Sequence, residues 1–198
     1  MPLLSTMSGG RQGAHRLLAA TVMLLLGMAV VAASATLDTT PVVSIGRQQD
    51  AYTVDARFEV RHPAALALEV LTDYEAIPRY MPDVKKSVVR HRYGHYAIVD
   101  QEVVSRVMMF SKRVHLRLAI VQSDDTLRFR DELGTSFHQY EGRWELTEQD
   151  GRTFVRYHLV AQPSFSVPAF LIRRLLARDA NETIERLRAE IAARATRP

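Results

Sequence analysis

The sequence predicts an α+β fold in which a curved, seven-stranded antiparallel sheet wraps one long C-terminal helix. Three observations predict it. Six segments between residues 84 and 162 read as consecutive strands divided by turn residues, and a seventh strand precedes two short helical segments. Residues 169–195 carry an apolar stripe at helical spacing. The order is β-α-α-β-β-β-β-β-β-α, with no internal repeat or low-complexity segment.

In chain order, residues 1–35 contain no acid and carry Arg11 and Arg16 ahead of the uncharged apolar run 17–33. With the small residues Ala33, Ser34 and Ala35 behind it, this segment has the design of a secretory signal peptide, which places the rest of the chain in the periplasm or outside the cell. An uncleaved inner-membrane anchor is the alternative, since the run is near the lower length limit of a membrane span. Residues 36–50, with Pro41 and Gly46 as breakers, read as a loose leader, so the folded domain is expected over 51–198.

From Tyr52 the chain alternates. Val54, Ala56, Phe58 and Val60 share one face, and Thr53, Asp55, Arg57 and Glu59 share the other, as in a half-buried strand. Pro63 suits the first position of a short helix over 64–71, and a second helical segment over 73–81 stops at Pro82. Strands follow at 84–92, 96–107, 112–122, 126–133, 138–148 and 153–162, with Gly94, Ser123-Asp124-Asp125, Gly134 and Asp150-Gly151 as turns. Val114, Leu116, Leu118 and Ile120 face inward against Arg113, His115 and Arg117; Tyr140, Trp144 and Leu146 likewise oppose Glu141, Arg143 and Glu145. Strands of this kind make a sheet with one wet face. Its dry face is covered by the helix over 169–195, whose stripe is Ile172, Leu175, Leu176, Ala180, Ile184, Leu187 and Ile191.

Composition excludes several classes. The 47% hydrophobic and 24% charged residues are those of a globular protein, and a net charge of +4 without any Lys/Arg block gives no footprint for nucleic acid. With no cysteine there is no disulfide framework, thiol nucleophile or Cys-ligated zinc. His91 and His95 are four apart, but Gly94 between them removes the helical face a metal pair needs. No G-x-S-x-G is present, and Asp131 and Glu132, adjacent on a strand, point to opposite faces. No catalytic residue, metal site or cofactor site is therefore assigned.

The element order and the stretch from Leu71 to Val84, with Asp73, Tyr74, Pro78 and Pro82, resemble the START-like or SRPBCC superfamily, and more closely its polyketide cyclase/dehydrase and coenzyme Q-binding branch. The resemblance runs from about Tyr52 to Ala195. It implies a helix-grip fold of the START/Bet v 1 type and an apolar small molecule held between sheet and C-terminal helix. It implies structural roles for the motif itself, with the prolines stopping helices and Tyr74 packing.

A curved sheet closed by a single helix encloses more space than short helices fill, so a pocket is expected. The candidates to line it are Leu116, Leu118, Phe129, Trp144, Val155, Tyr157, Ile172 and Leu176, each of which plain core packing would also explain. Trp144 and Tyr157 bring a polar tip to an aromatic body. Gln101 and Asp131 share parity with inward residues and could orient a ligand headgroup, or else face solvent. Val107, Met108, Met109 and Phe110, with Lys112 and Arg113 beyond, suit transient contact with an anionic membrane surface; buried strand continuation is the alternative. The expected function is an exported binder or carrier of a lipid, isoprenoid or quinone. The alternatives are a cyclase/dehydrase acting on a polyketide-like or aromatic substrate, and a structural envelope module with a filled core.

Overall fold

The computed structural model describes residues 40–107, 110–166 and 168–197, with side chains throughout that range except at 105–111. Among the described residues there are eight strands: β1 Val42–Gln48, β2 Ala51–Val60, β3 Val84–Tyr93, β4 Tyr96–Val107, β5 Phe110–Gln122, β6 Thr126–Asp131, β7 Phe137–Gln149 and β8 Arg152–Pro163. Helix α1 spans Ala64–Thr72, a 3-10 turn Tyr74–Ala76, α2 Ile77–Tyr80 and α3 Ala169–Ala195. All strands form one antiparallel sheet in the order β1-β2-β8-β7-β6-β5-β4-β3. This is the helix-grip architecture expected, with one strand more.

The extra strand is β1, inside the segment read as a loose leader. It pairs along its length with β2, from Val42 opposite Arg57 to Gln48 opposite Ala51. Its own sequence is weakly apolar, preceded by Pro41 and interrupted by Gly46. As an edge strand it takes its backbone partners from β2, and Val43 and Ile45 pack against the core.

The alternation sorts the two faces. Val54, Ala56, Phe58, Val60, Val114, Leu116, Leu118, Ile120, Trp144 and Leu146 are buried on the concave side. Arg57, Arg113, Arg117 and Arg143 are exposed on the convex side. Register shifts between Val84 and Lys86, between Val89 and His91, and between Phe137 and Gln139 mark bulges that bend the sheet around α3.

The segment carrying the family-like motif fastens α3. Arg194, its side chain 10% exposed, donates to Glu190 Oε1 (2.8 Å), Asp73 Oδ2 (2.8 Å) and Glu69 Oε1 (3.4 Å). Tyr74 is buried beneath the Arg92 guanidinium, 5.2 Å from the ring centroid, and burial pushes its hydroxyl up to about 12. The prolines divide their work. Pro82 follows the end of α2, as expected, but Pro78 lies in the first turn of α2 and starts that helix rather than stopping one. Pro63 stands one residue before α1, and the Ala64 N–H left open there is capped by Glu148 Oε2 at 2.8 Å.

Candidate functional site: a cavity under the first half of the long helix

Helices α1 and α2 cover only one end of the concave face. There, Ile184, Leu187 and Ile191 of α3 are buried in one cluster with Phe58, Val70, Tyr74, Leu118, Trp144 and Val155. At the other end the cluster around Val54 and Leu159 includes the small residues Ala161 and Ala180. Small side chains, with α3 alone above them and neither α1 nor α2, leave a partly open cavity of about 600 Å³. Its floor is Val54, Val103, Val114, Leu116, Phe137, Tyr140, Tyr157 and Leu159, and its roof is Ile172, Leu175, Leu176, Asp179, Ala180 and Thr183 of α3. Lys112, Phe165, Ser166, Pro168 and Leu171 border its mouth, with the Lys112 ammonium 4.8 Å from the Phe165 ring centroid.

Of the expected lining residues, Leu116, Tyr157, Ile172 and Leu176 border this space. The others do not. Leu118 and Val155 are buried in the closed end. Trp144 is also core: its indole stacks on the Tyr157 ring with centroids 4.1 Å apart and meets Phe58 edge-on at 6.5 Å. It therefore backs Tyr157 without reaching the cavity. Phe129 packs behind Tyr140 (6.0 Å) and over Gly142, where any Cβ would stand 2.7 Å from the Phe129 ring. Parity placed these residues on the correct face. It carried no information about which end of the barrel they occupy.

The two polar candidates are engaged elsewhere. Gln101 does turn inward, but its amide donates to the buried Ser87 Oγ at 3.2 Å. Asp131 accepts from the backbone N–H groups of Arg117 (2.8 Å) and Leu133 (3.0 Å) through Oδ1, and of Gly134 (3.1 Å) through Oδ2. Those bonds end β6 two residues earlier than expected and turn the chain toward β7. His91 and His95 are exposed, and among the described residues no group of three or more His, Asp or Glu is placed to hold a metal ion. β4 and β5 pair as far as Val107 opposite Phe110; Met108 and Met109 lie outside the described residues, as does the segment 1–35.

The polar groups that do face the cavity were not all singled out from sequence. Tyr140 shares the inward parity of Trp144. Asp179 lies on the cavity-facing side of α3, at a spacing of 172, 176, 179 and 183, where the row turns from the apolar Ile172 and Leu176 to the polar Asp179 and Thr183. Burial holds the Tyr140 hydroxyl at about 12, and the charges of Asp179 and Asp131 add to that. The Tyr157 hydroxyl is pushed well above its ordinary range, by burial first and then by Tyr140. Both stay neutral donors near neutral pH. Burial also raises Asp179, although Arg178 opposes this with bonds of 2.9 and 3.2 Å to Oδ1. The arrangement can enclose an apolar body and present a few polar contacts from the wall.

No curated protein matches the sequence. Among solved structures, a START superfamily protein from Mycobacterium smegmatis is similar at 17% identity and a TM-score of 0.63, covering 71% of this chain and 97% of its own. The Zhui aromatase/cyclase from Streptomyces sp. R1128 is similar at 18% identity and 0.61, covering 73% and 96%. A STAR-related lipid transfer protein from Xanthomonas axonopodis follows at 16% and 0.60, covering 76% and 98%. At such identities the likeness shows a common fold. The family model for polyketide cyclase/dehydrase and lipid transport proteins matches residues 60–188, from the end of β2 to the last turns of α3, and the chain belongs to that START-like family.

Proposed function

We propose that this protein is an exported binder or carrier of a hydrophobic small molecule of lipid, isoprenoid or quinone type, held without turnover in the cavity beneath α3. The observation that carries the reading is the cavity itself. At about 600 Å³ it falls within the ~300–1,000 Å³ range of small-molecule pockets, and its walls are mostly aliphatic and aromatic. The lipid-transfer protein from Xanthomonas shares the fold, which supports the same direction. Export rests on the cationic, apolar, small-residue design of residues 1–35. Transfer would open the cavity mouth to a membrane surface, and the apolar sequence Val107, Met108, Met109 and Phe110, with Lys112 and Arg113 beyond it, suits contact with that surface. Beside that mouth Phe170 is 75% exposed, and Arg173 and Arg174 are exposed one turn further along α3.

A cyclase/dehydrase remains the second reading, favoured by the neutral Tyr140 and Tyr157 hydroxyls beside Asp179 and by the shared fold of the Zhui aromatase/cyclase. One preparation tests both. The protein is purified from the periplasmic fraction, its N-terminus sequenced, and its contents analysed by native mass spectrometry after organic extraction. The carrier reading expects a chain beginning at Thr36 with a copurifying apolar molecule that is recovered unaltered after incubation. An intact Met1 in the membrane fraction overturns export, and an empty protein with no affinity for apolar probes overturns carriage.

A further inference from the structure

Two hydroxyls in the cavity wall have no assigned work. Tyr140 and Tyr157 both line the space, and among the described residues neither hydroxyl has a hydrogen-bonding partner in the protein. Both residues are half-buried and face the partly open cavity, so a ligand that displaces water from it must supply an acceptor or leave the two donors unmade. A tyrosine hydroxyl is neutral at neutral pH and burial raises both of these further, so each offers an O–H rather than a charge. The surroundings narrow the acceptor further. Asp179 lines the same cavity, and the charges of Asp179 and Asp131 both act on Tyr140. An anionic headgroup placed at Tyr140 would face the Asp179 carboxylate in the same cavity, a like charge that acts on Tyr140 even with Arg178 bonded to it. A neutral carbonyl oxygen accepts the same O–H without that penalty, and a bare hydrocarbon leaves it unmade.

We infer that the cavity selects neutral apolar molecules bearing a carbonyl oxygen, such as a ketone, quinone or ester, over both the parent hydrocarbon and the matching carboxylic acid, with Tyr140 and Tyr157 as the recognising donors. The inference rests on the carrier reading and specifies its ligand class. A competing arrangement is Lys112 at the mouth, where an ammonium could hold a carboxylate with the chain pointing inward.

The test uses three probes of similar length: 2-undecanone, undecane and decanoate. Trp144, the sole tryptophan, stacks on Tyr157 and reports binding by its fluorescence. The ketone should bind about five- to tenfold more tightly than undecane, the difference one hydrogen bond makes, and more tightly still than decanoate. Combining Tyr140→Phe with Tyr157→Phe should erase the preference for ketone over undecane while undecane affinity is retained. Equal affinities of ketone and undecane for the wild-type protein would overturn the inference and leave the carrier reading standing. Decanoate binding most tightly, and losing that advantage in Lys112→Ala, would overturn it in favour of a head at the mouth. If no probe binds, the carrier reading falls and the inference with it.

Discussion

The two halves of α3 lie over the same sheet and do different things. From Ile184 onward the helix is core: Ile184 and Ile191 are fully buried, Leu187 nearly so, and Arg194 locks the end to Asp73 and Glu69. Before Thr183 the stripe is looser. Leu175 and Leu176 are only half-buried and Asp179 intrudes, because here the helix roofs a cavity. The amphipathic pattern is continuous across both halves. What differs is what lies opposite: α1 and the bulky Phe58, Trp144 and Leu118 at one end, Ala161 and empty space at the other. A helix stripe thus reports that a face is apolar, and the opposing layer decides whether it is packed or vacant.

The largest expected effect separates those halves. Ile184→Ala should cost about 2–5 kcal/mol, as for a large-to-small change in a close-packed core, whereas Leu176→Ala should cost less than ~2 kcal/mol because that side chain already borders unfilled space. Thermal melts of the two variants would break the comparison if their order were reversed. For the same reason Leu176→Asp should be milder than Ile184→Asp.

Next comes the lock at the closed end. Arg194→Ala leaves Glu190 and Asp73 without their shared cation and should lower stability by about 1.5–3 kcal/mol, the usual worth of hydrogen bonds to charged groups. Hydrogen exchange should show the loss concentrated in α1 and the last turns of α3; a uniform loss across the sheet would show that the clamp is not local.

Filling experiments sharpen the boundary on one strand. Leu118→Trp overpacks the closed end and should cost about 1–3 kcal/mol, while Leu116→Trp, two residues along β5 and facing the cavity, should leave the melting temperature nearly unchanged and abolish binding of an apolar probe. Equal destabilisation by both would mean the open end is effectively solid.

The smallest effect belongs to the convex face, which the two ends share. Arg117 and Arg90 both bond Asp100 at 2.7 Å, and these bonds hold its carboxyl down at about 2 instead of 3.8. A depressed carboxyl stabilises the fold above its unfolded value, and that contribution is lost as pH falls from about 4 through 2. Both guanidiniums are exposed and solvent screens the pair, so the loss should be the smallest of the series. Asp100→Asn should flatten the acid limb of the stability curve over that interval and leave the neutral plateau slightly lower; an unchanged limb would show the triad to be energetically silent.

Sequence alone determined which face of each strand is dry and where α1, α2 and α3 lie, because hydrophobic period and proline or turn chemistry act between near neighbours; the structural role of the Asp73-Tyr74 segment came from the family resemblance. It missed β1, whose identity as a strand depends on pairing with β2 more than on its own residues. It placed Leu116, Tyr157, Ile172 and Leu176 on the inner surface together with Leu118, Phe129, Trp144 and Val155, and had no means of dividing them. That division needs the third dimension. Alternation fixes a side chain's direction across the sheet, whereas its position along the barrel relative to α1 and α3 is set by which distant segments pack there. Only the assembled structure decides that Trp144 braces Tyr157, that Asp131 serves three backbone N–H groups, and that Tyr140, Tyr157 and Asp179 face one cavity.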